Sequence, residues 1–166
     1  MNTLDVLMKR RSIRLFRDKQ VRREDLEAIA QAGRFAPTAR NVQPWKFVAI
    51  TDRKVLEAIG RLAENGRFIA SCAACLAVFC EDTKYYLEDG CAATVNMLNA
   101  AAFLGIGSCW VAGDKKPYCR EISDLLNAPE NLRLVSLVVL GYPQGEDALR
   151  LADKKPLEEI LRWERF

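Results

Sequence analysis

The 166-residue chain contains no histidine. That removes the side chain most often used as a general base near neutral pH, and with it His-ligated metal sites and His-dependent catalytic triads. No run approaches the ~18 consecutive apolar residues of a membrane span. The N-terminus lacks both the uninterrupted apolar core and the cleavage site of a secretory signal, so the sequence predicts a cytoplasmic protein. Glycine and proline number only 9 and 6, and no repeat or Pro/Gly/Ser-rich linker divides the chain. Collagen-like and low-complexity architectures drop out, and residues 1–166 read as a single domain with two arms. Charge is nearly balanced, with 25 Lys plus Arg against 22 Asp plus Glu and a net charge of +3; half of all residues are hydrophobic. That composition excludes disorder as the main state. A domain of this length buries roughly 70% of its unfolded surface and needs neither disulfides nor a structural metal.

Six cysteines are present. Cys72 and Cys75 form a C-x-x-C, with Cys80 further on, but all three lie in an apolar run rather than the turn or helix start that zinc and redox pairs occupy. They read as buried small hydrophobes. Gly105-Ile106-Gly107 is a lone G-x-G without the third glycine of a dinucleotide loop, and no Walker-type loop exists. The remaining nucleophiles and acids show no triad-like spacing. A redox cofactor that carries the chemistry itself fits this inventory.

The order of elements is legible. A first helix is predicted over Thr3 to Lys9, followed by a basic loop. Leu26, Ile29, Ala30 and Gly33 recur at helical spacing within Arg23 to Phe35, and a loop with two prolines follows over Pro37 to Pro44. A strand over Trp45 to Ile50, a helix over Lys54 to Leu62 ended by Asn65-Gly66, and a buried strand over Ala73 to Phe79 come next. Tyr85 to Gly105 is apolar nearly all round, which places it either in mid-core or against a partner subunit. A brief strand over Ile106 to Val111, a short helix over Tyr118 to Leu126 and a central strand over Leu132 to Leu140 complete a pattern that predicts a three-layer α/β or α+β sandwich with a mixed sheet. The tail carries Leu157, Ile160, Leu161, Trp163 and Phe166 with no further sheet to cover. A C-terminal arm, 148–166, exchanged with a second subunit accounts for it, and with the apolar helix argues for a homodimer.

Positive charge crowds the first twenty residues. In Arg10-Arg11-Ser12-Ile13-Arg14-Leu15-Phe16, guanidinium forks and a hydroxyl suit a phosphate-bearing ligand. The same residues on their own also fit a solvated basic turn or a nucleic-acid contact, although no aromatic stacking platform accompanies them.

Five segments, taken together and in order, resemble the FMN-dependent nitroreductase family in its short single-domain branch. They are Arg10 to Phe16, Ala36 to Trp45, Asn96 to Val111 with its Leu104-Gly105-Ile106-Gly107-Ser108-Cys109-Trp110 ending, Leu140 to Pro143, and Lys155 to Glu159. The resemblance covers nearly the whole chain. It implies an α+β nitroreductase-like fold and a homodimer holding two FMN molecules at the subunit interface, each touched by both chains. It also implies a ping-pong reaction in which NADH or NADPH reduces the flavin and a nitro compound, quinone or similar acceptor reoxidises it. A flavin-binding protein without turnover, or a divergent chemistry such as reductive dehalogenation, is the alternative within the same resemblance.

By that analogy Arg10 reaches the FMN phosphate, Arg11 and Ser12 the phosphate and ribityl chain, and Arg14 the pyrimidine edge, where a cation stabilises reduced flavin. Asn65 stands where an amide meets the pyrimidine ring, and equally reads as a helix-ending Asn-Gly. Pro37, Thr38 and Ala39 come from the other subunit. Trp110, Val111, Ala112 and Gly113 pass the isoalloxazine, with the N–H of Ala112 or Gly113 near N5. Lys154 completes the phosphate site. Arg40 approaches the substrate, while Asn41, Gln43 and Trp45 read as scaffold. Departures from the family pattern are the short 114–131 segment, Phe68 in place of a second basic residue, and Ala152 in place of a second tail cation. No side chain is assigned as a general acid.

Overall fold

The structure is a computed structural model that describes residues 3–145 and 153–166. Four strands form one sheet in the order β1-β2-β4-β3: β1 (Trp45–Ile50), β2 (Ala74–Glu81), β3 (Gly107–Ala112) and β4 (Leu132–Gly141). The two central strands, β2 and β4, are buried almost throughout, as their unbroken apolar runs require. Six helices accompany them: α1 (Thr3–Lys9), α2 (Arg23–Arg34), α3 (Arg53–Leu62), α4 (Tyr86–Phe103), α5 (Cys119–Leu125) and α6 (Leu157–Ile160).

Three layers result. On one face of the sheet, Leu56 and Ile59 of α3, Ile69 and Ile122 of α5 pack against Phe79, Leu134 and Leu137. On the other, Leu26 and Ile29 of α2 with Met97, Leu98 and Ala101 of α4 pack against Leu76, Val138 and Leu140. α3 starts where the Asp52 side chain accepts from the Val55 N–H at 3.1 Å, an N-cap that satisfies one of the helix's orphan donors.

Three expectations change. The sheet is antiparallel at every strand pair, and the one parallel pairing among the described residues is an isolated bridge between Ser12 and Ser108. A strand covered on both faces reads the same in either direction, so the pattern carried no information on strand sense. The Asn65-Gly66 break is instead a 3-10 segment, Glu64–Ser71. Finally, α4 does not run through mid-core: Ala93, Met97 and Ala101 are fully buried, but Val95 and Phe103 remain 45% and 64% exposed. Its outer side, like Leu4, Leu7 and Met8 of α1, is apolar and uncovered by its own chain. Among the described residues no helix is long and apolar enough to cross a membrane.

Candidate functional site

The strip Arg10–Phe16 leaves α1 and lies along the outer edge of β3. The Ile13 N–H donates to the Ser108 carbonyl at 2.8 Å, and farther on Gln144 donates to Leu15 and Arg17 to Tyr142. Ile13 and Phe16 are buried while Ser12 and Arg14 are exposed and Arg10 is half-buried. The two apolar anchors therefore force the intervening polar groups outward along one edge.

Arg11 behaves differently from its neighbours. One terminal nitrogen donates to the carbonyls of Met8 at 2.8 Å and Arg10 at 2.6 Å, closing the end of α1. Its Nε is buried with no partner, as is the Ser108 hydroxyl one strand across. Buried polar atoms are almost always paired. Two orphans on one polar strip fit a ligand rich in hydrogen-bonding oxygens, and the phosphate and ribityl chain of FMN have that chemistry.

The Arg14 guanidinium sits over the Phe68 ring, 5.9 Å from its centroid. Burial pushes the Cys109 thiol up, and Arg14, Ser12 and Arg10 oppose that shift, so the cations gather around one point on β3. The 3-10 segment that carries Asn65 and Phe68 lies on β3 because residue 66 is glycine. A Cβ there would stand 2.8 Å from the Ala63 Cβ and 3.2 Å from Val111. Asn65, exposed, is thereby brought to the same edge as Arg14.

At the far end of β3, Gly113 and Asp114 both donate to the Val135 carbonyl, at 3.0 and 3.2 Å, which is a β-bulge. A Cβ on Gly113 would meet the Leu134 side chain at 2.7 Å and its carbonyl at 2.8 Å. Because the Gly113 N–H turns toward β4, strand alternation turns that of Ala112 to the outer edge. The carbonyl of Ala112 faces the same way and accepts from the Tyr118 hydroxyl at 2.7 Å. Of the two amides the sequence left open, the one at Gly113 is committed within the chain and the one at Ala112 is not. Trp110 packs toward α4 and Val111 toward the opposite core.

The loop 37–43 is placed apart from this cluster. It leads into β1, at the opposite edge of the sheet, three strand spacings or roughly 14 Å from β3. Its polar groups are engaged internally: Thr38 Oγ1 donates to Asp89 at 2.9 Å, and the Ala39 N–H to the other carboxylate oxygen at 3.0 Å. Gln43 Nε2 donates to Asn41 Oδ1 at 3.0 Å, a scaffold role as expected. Pro37 and Arg40 are exposed, and so is Lys154, just before α6. Ala152 lies outside the described residues.

Sequence reasoning missed Asp89, Ser108 and Tyr118. The signals were a carboxylate in an otherwise apolar helix and a serine in an otherwise apolar strand. The C-x-x-C is buried as expected: burial pushes Cys72 to about 11, Cys75 well above the usual thiol value and Cys80 to about 12. Such thiols stay protonated at neutral pH and are not thiolate nucleophiles. Among the described residues no group of three or more His, Cys, Asp or Glu side chains is placed to hold a metal.

Comparison with known proteins gives this geometry a context. A protein of Archaeoglobus fulgidus with the provisional name NADH dehydrogenase/NAD(P)H nitroreductase is 36% identical over 160 residues, covering 92% of this chain and 91% of that protein. An iodotyrosine deiodinase of Thermotoga neapolitana is 28% identical over 98% of this chain and 97% of its own. Among solved structures, one described as a nitroreductase in complex with FMN, from Desulfovibrio desulfuricans, superposes with a TM-score of 0.87 at 26% identity, covering all of this chain and 98% of that one. Residues 7–74 and 81–142 match the model of the Nitroreductase family, and the chain belongs to that family.

Proposed function

We infer that the chain is an FMN-dependent oxidoreductase that takes hydride from NAD(P)H and reduces nitro compounds, quinones or similar acceptors. The observation that carries this reading is the polar strip on the β3 edge. There Arg10 and Arg14 gather around Cys109, beside the unpaired Arg11 Nε and Ser108 hydroxyl, in a chain alike over its length to an FMN-bound family member. FMN, when bound, supplies hydride and electron transfer between nicotinamide and acceptor.

The chain's own residues bind and polarise. Arg10, Ser12 and the Nε of Arg11 hold phosphate and ribityl oxygens, with Lys154 adding a charge from the tail. Arg14, steadied by Phe68, keeps a positive charge at the pyrimidine edge together with the Asn65 amide, where reduction places negative charge. The outward N–H of Ala112 serves the N5 side, and Trp110, Val111 and Gly113 shape the strand end that carries it. With no histidine in the chain, protons come from water.

The other half of the site comes from a second copy. Pro37, Thr38, Ala39 and Arg40 lie on the opposite sheet edge from Arg14, so a homodimer that brings one copy's loop to the other's β3 edge completes the pocket. Arg40 then meets an anionic or nitro-bearing substrate. The apolar outer sides of α1 and α4 form the contact, and the arm from Leu157 to Phe166 reaches across to the partner. A cavity of about 810 Å³ between α2 and the β1 edge, floored by Phe47, Ala49 and Leu76, is a suitable receiving surface.

An absorbance spectrum of the purified protein tests the reading. Flavin bands that bleach anaerobically with NADH or NADPH, and parallel double-reciprocal lines with an acceptor, are the expected result. A colourless protein that ignores added FMN would overturn it.

A further inference from the structure

We propose that Asp89 is the positioning residue of the substrate loop: from the first turn of α4 it clamps residues 38–43 in the conformation that presents Pro37 and Arg40 outward. The proposal rests on the functional reading above for its consequence in catalysis, but the clamp itself does not.

Asp89 is 5% exposed. A buried carboxylate is unfavourable unless its oxygens are paired, and here both are. Thr38 Oγ1 donates to one and the Ala39 N–H to the other, and the first turn of a helix adds a favourable dipole. The hydroxyl of Thr38 works twice, because it also accepts the Gln43 N–H at 3.2 Å. One carboxylate thus closes a ring that runs from residue 38 to residue 43.

What the ring holds is a backbone that the residues would not adopt by themselves. Arg40, Asn41 and Gln43 have φ of 55°, 56° and 53°. Non-glycine residues in this left-handed region are uncommon, and they persist where surrounding contacts over-determine them. Three fall within four consecutive positions here. The other non-glycine cases among the described residues, Lys115, Asn127 and Glu164, are isolated.

The consequence is an inversion of the loop's surface. Its hydrogen-bonding groups turn inward to Asp89, while Pro37, Arg40 and Val42 are exposed. A free loop does the reverse. The Thr38 hydroxyl and the Ala39 N–H are spent on the clamp, so this loop meets the flavin of a second copy through its apolar groups and leaves Arg40 as its charged contact. Nothing in the clamp touches substrate, so Asp89 acts through the loop.

The test uses the full-length protein as purified, with Asp89→Asn and Thr38→Val as separate variants. Asp89→Asn replaces an acceptor oxygen by a donor facing another donor; Thr38→Val removes one bond and leaves the carboxylate in place. Two readouts are followed. Trypsin cleavage after Arg40 in flavin-free protein reports the loop directly and needs no activity. In holoprotein, the KM for a nitroaromatic acceptor is compared with the rate of anaerobic flavin reduction by NAD(P)H. Both variants are expected to be cut faster at Arg40, and acceptor KM to rise roughly ten-fold for Asp89→Asn, the scale of a lost hydrogen bond to a charged group. Thr38→Val is expected to change both in the same direction by less. The double variant should add less than the two singles combined. Unchanged cleavage and unchanged KM in Thr38→Val, or in a folded Asp89→Asn, would overturn the clamp. If the wild type shows no flavin reduction at all, the functional reading fails instead, and the cleavage rates alone decide whether the clamp stands.

Discussion

The two edges of the sheet are unfinished in different ways. Along β3, the strip Arg10–Phe16 supplies backbone partners, so the protein surface there is complete apart from two small polar atoms, Arg11 Nε and the Ser108 hydroxyl. Along β1, no strip covers the strand. What is open is an apolar cavity beside α2, and what stands exposed elsewhere is a tail carrying Leu157, Ile160, Trp163 and Phe166. Orphaned donors and hydroxyls are satisfied by a compact polar ligand, whereas uncovered apolar area is satisfied by more protein. The first edge therefore marks a cofactor site and the second a subunit contact, a distinction that neither net charge nor overall hydrophobicity makes.

Removing charge from the β3 edge alone should break the comparison most strongly. Arg10→Ala and Arg14→Ala are each expected to weaken FMN binding by about 1.5–3 kcal/mol, or roughly 10- to 100-fold in Kd, measured by flavin fluorescence titration, with the melting temperature of the flavin-free protein little changed. Retention of full affinity by both variants would remove the cofactor assignment from this edge.

The complementary change is at the tail. Trp163→Ala, at an exposed aromatic with the character of an interface anchor, should cost the dimer about 2 kcal/mol and shift its mass toward the monomer on dilution in analytical ultracentrifugation. FMN affinity should fall only as far as dissociation removes the second copy's loop. An unchanged dimer would separate the arm from the β1-edge cavity.

A smaller effect sharpens the role of the Arg14–Phe68 contact. Phe68→Leu removes the ring beneath the guanidinium, a contact worth about 0.5–1 kcal/mol. If Arg14 steadies reduced flavin, its loosening should lower the two-electron midpoint potential by roughly 10–20 mV. No shift would mean that Arg14 holds its place without the ring.

The smallest effect is a control far from both edges. The hydrogen bond and charge of Arg22 hold the Asp25 carboxyl below its usual range. Folded protein then binds fewer protons there than unfolded protein does, so the contribution is full above about pH 4 and fades as pH falls through the lowered Asp25 value. The stability difference between wild type and Arg22→Ala should follow that course in urea titrations at stepped pH. A difference that persists in strong acid would assign it to packing.

Much of this was legible in the chain. Apolar spacing placed the helices and strands to within a few residues, because burial on one side of a helix or both sides of a strand leaves a periodicity. The strip Arg10–Phe16 and the loop 37–44 stood out because charge and proline leave little local freedom. Strand direction did not, and neither did the fate of the amides of Ala112 and Gly113, since a bulge at Val135 chooses between them. Asp89 was hidden inside a helix whose neighbours are apolar, and its partners lie about fifty positions earlier in the chain.

Sequence alone determined which chemistry was excluded, by the lack of histidine, and which segments were apolar, basic or turn-forming, since these are properties of residues and their near neighbours. Tertiary structure decided which of those groups meet. It set Arg14 over Phe68, left Ser108 unpaired, turned the Ala112 N–H outward and closed Asp89 on Thr38, because hydrogen bonding and burial depend on distances that separation along the chain does not fix.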